Sequence, residues 1–393
     1  MLPPAEPNEA VVPEEPESKP ASRDNTLTTS TTNSQVITSP QSIQPTSLPP
    51  DTRNLNPESN PSALITLSPN GFHLKPPPPP HTLSTYHTPT AHLFQTAHFG
   101  TAHLDPSRYH LYISGLVTNS LTLTLHDLQS LPSKTLTSTH ECYGSPLSPP
   151  PTTNPHRIGN ITWTGVPLSH LLLSHAGPLH PTAKFIWASA PDNGTFGGVQ
   201  SKSYQKDLPL AKALAPEVLL AWGMNGEPLS SEHGGPVRLV VPGWFGTNSV
   251  KWAEEIRVEG ERAGGPFTTV FYNEPDPKGG TRPVWGLQVN SMIVRPGPGE
   301  VVVRDGEGVE VRGWAWGCEG VEGVGVSVDG GRTWVEAVVE ERVEFGWQGF
   351  RVGLELGVGR HEVIARARLR DGEVQPLTGA RNHCHRVEFD VVK

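Results

Sequence analysis

Cysteine is scarce in this chain: only Cys142, Cys318 and Cys384 occur among 393 residues. Three widely spaced thiols make no disulfide framework, which points to a reducing compartment. No apolar run approaches the ~20 residues that span a bilayer, so no membrane segment is expected. Positive charge is also in short supply, and a formal net charge of −9 argues against a general nucleic-acid binder. The start, Met1–Glu6, has no basic stretch followed by an apolar one. Glu6, Glu9, Glu14, Glu15 and Glu17 make it too acidic for a mitochondrial presequence. The last residues, Asp390–Lys393, carry no Ser-Lys-Leu address. A cytoplasmic protein is expected, with mitochondrion or peroxisome as alternatives that show no recognisable address. No Lys follows the glycines of Gly194–Gly198, which excludes a Walker-type nucleotide loop.

What is present divides the chain into three. Residues 1–83 are rich in Pro, Ser, Thr and Asn and short of aromatics, a composition that cannot bury enough apolar surface to offset the entropy of ordering. They read as a disordered arm, dispensable for folding, with Pro76–Pro80 as an extended polyproline spacer. Residues 84–289 mix short strands with short helices and lack a regular βαβ rhythm, which predicts α+β. Tyr109–Val117, Leu121–Leu125, Thr135–Thr139 and Val237–Val241 read as strands. His126–Pro132 and Val166–Gly177 read as helices, the second with Pro near its start and Gly past its end. Residues 290–393 are all β. There Val324–Val328 meets Arg332–Ala337 through Asp329-Gly330-Gly331, which supplies the positive φ of a tight hairpin, and the set of strands suits a sandwich.

Chemistry concentrates around Cys142. It follows the β-prone run Thr135–Thr139 and precedes Gly144-Ser145-Pro146. A thiolate held at a strand end by a tight turn suits a soft-metal ligand or a nucleophile, while a buried packing thiol is the competing reading. Downstream come His233-Gly234-Gly235-Pro236-Val237-Arg238 and then Val241–Trp252, which contains Ser249-Val250-Lys251. Cys142 and these two stretches, in that order, resemble the molybdenum-cofactor domain of the sulfite oxidase family. The hairpin phrase Val326–Trp334 resembles that family's second, immunoglobulin-like domain, which pairs into homodimers. The resemblance covers about residues 86–391.

It implies a molybdopterin-binding domain over 84–289 and an immunoglobulin-like dimerisation domain over 290–393, holding one Mo-molybdopterin per chain. The family's haem domain, marked by His-Pro-Gly-Gly, and the flavin domain of related nitrate reductases have no counterpart here, so no haem and no flavin are expected. Residue by residue, Cys142 takes the place of the metal thiolate, a good donor to a high-valent metal. Phe94 and His98 fall in the first pterin-contacting loop. Asp192 matches an acidic pterin contact, though alone it would read as a solvated turn aspartate. His233, Arg238, Ser249, Val250 and Lys251 keep the spacing of a loop that meets the cofactor's phosphate tail, where cations and backbone N–H groups are needed. Tyr272 falls at the active-site tyrosine, whose phenol can hydrogen-bond substrate and relay a proton.

Two departures bear on substrate. Family arginines that grip a dianion fall here on Thr96 and on Ser145-Pro146-Leu147. Arg157 and Arg381 are the candidates to replace them. The activity implied is oxidation of sulfite to sulfate by oxygen-atom transfer at a Cys-ligated Mo-oxo centre, with oxygen or an external electron acceptor taking the electrons. One alternative is the same cofactor acting on a sulfoxide or N-oxide, and another is a non-catalytic dimeric interaction protein. Trp314, Trp316 and Trp347 exceed what a small sandwich core obviously needs, which suggests an interface. His383-Cys384-His385 invites zinc, but strand alternation splits its side chains between two faces and no second Cys/His pair follows.

Overall fold

A computed structural model describes residues 64–66, 73–75, 77–144, 157–304 and 308–393. Two five-stranded sheets frame the first domain. One runs Tyr204–Pro209, Phe185–Ala190, Glu255–Glu259, His110–Gly115 and Leu121–Thr124, with Glu255–Glu259 and His110–Gly115 parallel. The other runs Glu227–Pro228, Leu219–Met224, Ile158–Pro167 and Lys134–Glu141, and Arg238–Val240 adds to Leu219–Met224. Helical content is small. The longest α-helix, Leu125–Ser130, starts on a capping box in which Thr124 Oγ accepts from the Asp127 N–H and the Asp127 carboxylate accepts from the Thr124 N–H.

The expected helix over 166–177 is shorter and of a different kind. Pro167 caps it from outside, Leu168–His170 is α, and Leu171–His175 widens into a π turn that Gly177 ends with φ +81°.

The strand that positions Cys142 is Lys134–Glu141. It pairs antiparallel with Ile158–Pro167 through eight residue pairs, and every residue from Leu136 to Glu141 is buried. The pairing continues one step further, since the Cys142 N–H donates to the Arg157 carbonyl at 2.9 Å. Cys142 thus leaves the sheet with its backbone still held.

The second domain is a two-sheet sandwich. Asn290–Arg295, Val309–Trp316, Gln348–Leu354 and Val338–Val339 form one sheet; Val301–Val303, Arg386–Val392, Gly359–Leu369, Val321–Ser327 and Val335–Glu336 form the other. Their inward residues, among them Val311, Phe350, Val363 and Phe389, make the core, with clear alternation along residues 309–313 and Arg386–Val392. The hairpin at Asp329 is looser than a two-residue turn. Strand pairing resumes only at Val335, and the Asp329 carboxylate accepts from the N–H groups of Arg332 and Thr333.

Two expectations are corrected here. Trp316 and Trp347 are buried, and Trp314 packs on the same cluster, so these rings do not form an exposed interface. They fill the junction between the two domains: Trp314 donates to the Leu83 carbonyl, Trp347 to the Tyr86 carbonyl and Trp316 to Glu141. The arm boundary at residue 83 also moves. Leu64–Thr66 pairs with Thr101–His103, His73–Lys75 pairs with Gln95–Thr96, and Leu83 is buried. Of the proline run, Pro79 keeps extended angles (φ −57°, ψ 142°) and Pro80 opens a 3₁₀ turn. The rest of the expected disordered arm, residues 1–63, 67–72 and 76, lies outside the described residues. No described helix is long and apolar enough to cross a membrane.

Candidate active site

One cleft gathers residues from almost every segment singled out in the sequence. Cys142 comes from the strand end just described, and Phe94, Thr96 and His98 come from the first loop. Asp192 follows the strand Phe185–Ala190. His233, Arg238, Ser249 and Lys251 arrive on the long loop around Arg238–Val240, and Tyr272 closes the far side. Val250 does not line the cleft. It is fully buried, and its carbonyl accepts from Leu239.

The cationic end is tightly held. The Arg238 guanidinium is buried, stacks 5.0 Å from the Trp163 ring, and donates to the carbonyls of His233 (2.8 Å) and Ser249 (3.1 Å). The Lys251 ammonium donates to the carbonyls of Thr96 (2.9 Å) and Glu232 (2.6 Å). Gly234, at φ +97°, lets Lys251 approach closely: a Cβ there would lie 2.9 Å from the lysine side chain. Burial pushes Lys251 down to about 7, helped by Arg238, and pushes Arg238 down to about 9. His233 falls to about 4 and His140 well below its usual range, both through burial first and then the neighbouring cations.

Positive charge is therefore concentrated where, among the described residues lining the cleft, Asp192 is the one carboxyl. Burial raises Asp192 to about 7 against the pull of Lys251. Among the described residues, Asp192 Oδ1 and Arg238 Nε are buried without a hydrogen-bond partner. Buried polar atoms left open in this way mark a place where a ligand completes the bonding. A pterin with an anionic tail fits the set: acceptor at Asp192, cations at Arg238 and Lys251, and the thiol of Cys142 at the metal end.

The other end is aromatic. The Tyr272 hydroxyl is hydrogen-bonded to His98 Nε2. Burial, Lys251 and Lys206 hold His98 down to about 3, so its imidazole is neutral and able to accept the phenol proton. Tyr272 sits at φ 57°, an uncommon conformation for a side-chain-bearing residue and one that clusters at functional sites. Burial holds its phenol well above the ordinary range. Around the pair stand Phe196, Tyr204 and Phe267, with His98 stacked on Tyr204 at 5.0 Å.

The two replacement arginines do not present free forks to this end. Arg157 Nη1 donates to the Gly144 carbonyl. Arg381, only 9% exposed, ion-pairs with Glu141 at 3.0 Å, donates to Gln288 at 2.8 Å, and lies over the Phe245 ring at 4.5 Å. Neither lines the cleft. Leu147 lies outside the described residues; the undescribed stretch 145–156 contains no Lys or Arg in its sequence. In the run His383–His385, His385 Nδ1 accepts from the Ile293 N–H, and Cys384 is buried.

Sequence reading passed over four residues that matter here. His140 lines the cleft, with Phe94 stacked 5.8 Å away, and its only signal was its place two residues before Cys142. Tyr204 anchors the wall by donating to the Thr247 carbonyl at 2.7 Å. Lys206 and Glu141 are buried charges that no local pattern marks as functional.

Residues 98–267 match the oxidoreductase molybdopterin binding domain, and residues 281–387 match the Mo-co oxidoreductase dimerisation domain. Mitochondrial sulfite oxidase of Rattus norvegicus is 31% identical over 367 residues, covering 84% of this chain and 66% of the relative. Sulfite oxidase of Arabidopsis thaliana is 30% identical over 292 residues, covering 66% of this chain and 72% of the relative. Among solved structures, the sulfane dehydrogenase SoxCD of Paracoccus pantotrophus superposes with a TM-score of 0.65 at 31% identity, covering 75% of this chain and 76% of that one. The chain spans just under two thirds of the rat relative's length, at 66%.

Proposed function

The chain belongs to the sulfite oxidase family of molybdopterin oxidoreductases, and we propose that it carries out oxygen-atom transfer at sulfur, with sulfite as the first substrate. The observation that carries this reading is the joint placement of Cys142, the His98–Tyr272 pair and the Arg238–Lys251 cations around one cleft. The bound cofactor supplies a two-electron redox centre capable of exchanging an oxygen atom. Cys142 would hold its metal, and Asp192, His233, Arg238 and Lys251 would hold the pterin and its tail. The Tyr272 hydroxyl, hydrogen-bonded to His98, can turn its O–H to a substrate oxygen. Phe196, Tyr204 and Phe267 make that end apolar. In the net reaction sulfite gains one oxygen from water and yields two protons and two electrons, which oxygen or an external carrier accepts.

A specific observation favours a second reading. Thr96 stands at one lost arginine, Arg157 is engaged with Gly144, and Arg381 is engaged with Glu141. A dianion meets fewer charge-assisted donors here, each worth about 1.5–3 kcal/mol where geometry is good. A neutral sulfoxide or N-oxide meets no such penalty. Pairing of two copies through residues 290–393, and a cytoplasmic location, are part of the same proposal.

Metal analysis and a substrate panel test it together. About one molybdenum per chain and sulfite-dependent reduction of an artificial acceptor are expected. Turnover of sulfoxide or N-oxide with a reduced dye, and none with sulfite, selects the second reading. Protein that binds no molybdenum after expression with cofactor supply is a non-catalytic member.

A further inference from the structure

Lys206 is a buried cation that the roles above leave unused. It lies on the strand Tyr204–Pro209 and is 1% exposed. The next residue, Asp207, points to the opposite face, as strand alternation requires, and spends its carboxylate on Arg262 Nε (2.8 Å) and Nη2 (3.1 Å). Lys206 instead turns toward the aromatic end of the cleft. Its ammonium donates to the Phe267 carbonyl at 2.9 Å and lies 5.5 Å from the centre of the Tyr272 ring. No ion pair joins it to a carboxylate among the described residues.

Keeping such a charge out of water costs stability unless something uses it. The ordinary solution at a buried strand position is an apolar side chain. Here the charge sits under the Tyr272 ring and beside the Phe267 carbonyl, five residues before Tyr272 in the turn that carries the phenol to His98.

We propose that Lys206 is a positioning residue for the Tyr272 hydroxyl, supplying from beneath the ring the positive charge that the chain lacks at Thr96. Two consequences follow from the geometry. A cation close to the ring withdraws electron density and makes the phenol O–H a stronger donor toward an oxyanion or S-oxide in the cleft. Behind burial and Lys251, the same charge also disfavours protonation of the neighbouring His98. Burial under the ring keeps Lys206 from binding substrate itself, so it acts through Tyr272. This rests on the oxidoreductase reading given above.

The test compares Lys206→Met and Lys206→Arg in the wild-type and Tyr272→Phe backgrounds of the full-length, cofactor-loaded enzyme. Lys206→Met should lower kcat on the order of tenfold, the scale of a desolvated cation–π contact, with KM changed much less. Lys206→Arg should recover part of the loss. In the Tyr272→Phe background, Lys206→Met should cost nothing further. An equal loss in both backgrounds overturns the proposal. Thermal unfolding supplies the readout that needs no substrate. Removing a buried charge that no ion pair holds should leave Tm unchanged or raise it, whereas a fall of several degrees means that Lys206 serves the fold and overturns the proposal. If the wild-type protein turns over nothing in the panel, the oxidoreductase reading fails, and the unfolding comparison alone still decides whether Lys206 is a structural anchor.

Discussion

Arg381 of the C-terminal sandwich closes an ion pair on Glu141, the residue immediately before Cys142, with Nη1 3.0 Å from Oε1. Trp316 Nε1 donates to the second carboxylate oxygen at 2.8 Å. Both partners are out of water, Glu141 fully so. The second domain therefore fixes the backbone that presents the thiol, and Arg381 acts on the site without entering it.

Arg381→Met strands a buried carboxylate, and such a loss costs roughly 3–5 kcal/mol. The variant should unfold earlier and retain less molybdenum. Adding Glu141→Gln should recover part of the stability, because the uncompensated charge is gone. A double-mutant cycle by denaturant unfolding measures the coupling, and additive losses would show that the pair is not a unit.

Cys142→Ser should abolish turnover while leaving the circular dichroism spectrum unchanged. The residue lies at a strand end with its N–H still bonded to Arg157, and a hydroxyl is close in size to a thiol. Molybdenum content should drop more than pterin content, since Asp192, Arg238 and Lys251 remain. Full activity in the serine variant refutes the metal assignment.

Asp192 gives a stability signature in the cofactor-free protein. Its folded pKa, about 7, exceeds the unfolded value of 3.8, so the native state binds more protons between those limits. Stability contributed by this group is present at low pH and is lost as pH rises through about 7. Asp192→Asn should match wild type near pH 4 and exceed it at pH 8. The gain is at most about 4 kcal/mol, since each tenfold change in proton affinity is worth about 1.4 kcal/mol. Chemical denaturation at the two pH values reads it directly.

Lys251 moves the other way, from 10.5 down to about 7, so the folded protein sheds this proton while the unfolded chain keeps it. An anion at the Arg238–Lys251 end should restore the proton. Sulfate, which does not titrate in this range, should raise the Tm of cofactor-free protein more at pH 6 than at pH 8. Lys251→Met should flatten that difference, leaving only the general effect of a kosmotropic salt. An unchanged difference in the variant would place the anion elsewhere.

A chain beginning at residue 82 should bind cofactor less well than one beginning at residue 60. The strand His73–Lys75 pairs with Gln95–Thr96, and Thr96 supplies a carbonyl to Lys251. Light scattering on both chains should give a dimer mass, because the sandwich of residues 290–393 is built around a core of its own. A monomer at micromolar concentration in either chain refutes pairing through the sandwich.

Local pattern carried much of this architecture. The sandwich strands were legible because alternation is a property of neighbouring residues: Val309, Val311 and Phe350 face one core by the period of two. Cys142 was legible because a β-prone run and a Gly/Ser/Pro turn bracket it. The short helix at Leu125–Ser130 announced itself less through its cap than through Pro132 beyond it.

Long-range packing decided the rest. Tyr272 and His98 meet across 174 positions, and nothing near either residue predicts that bond. The Trp314, Trp316 and Trp347 rings were equally consistent with an outer surface until the domains closed on them, since a strand's composition does not say what covers its second face. Arg381 carries the same charge in the sequence whether it meets substrate or Glu141. Its partner is chosen by the burial of both groups at the junction, where an unpaired charge is most costly. The residue types of the site and the strands that bear them are written locally along the chain. Which charges face the cleft, and which are spent holding it, is set only when distant segments pack and water is excluded between them.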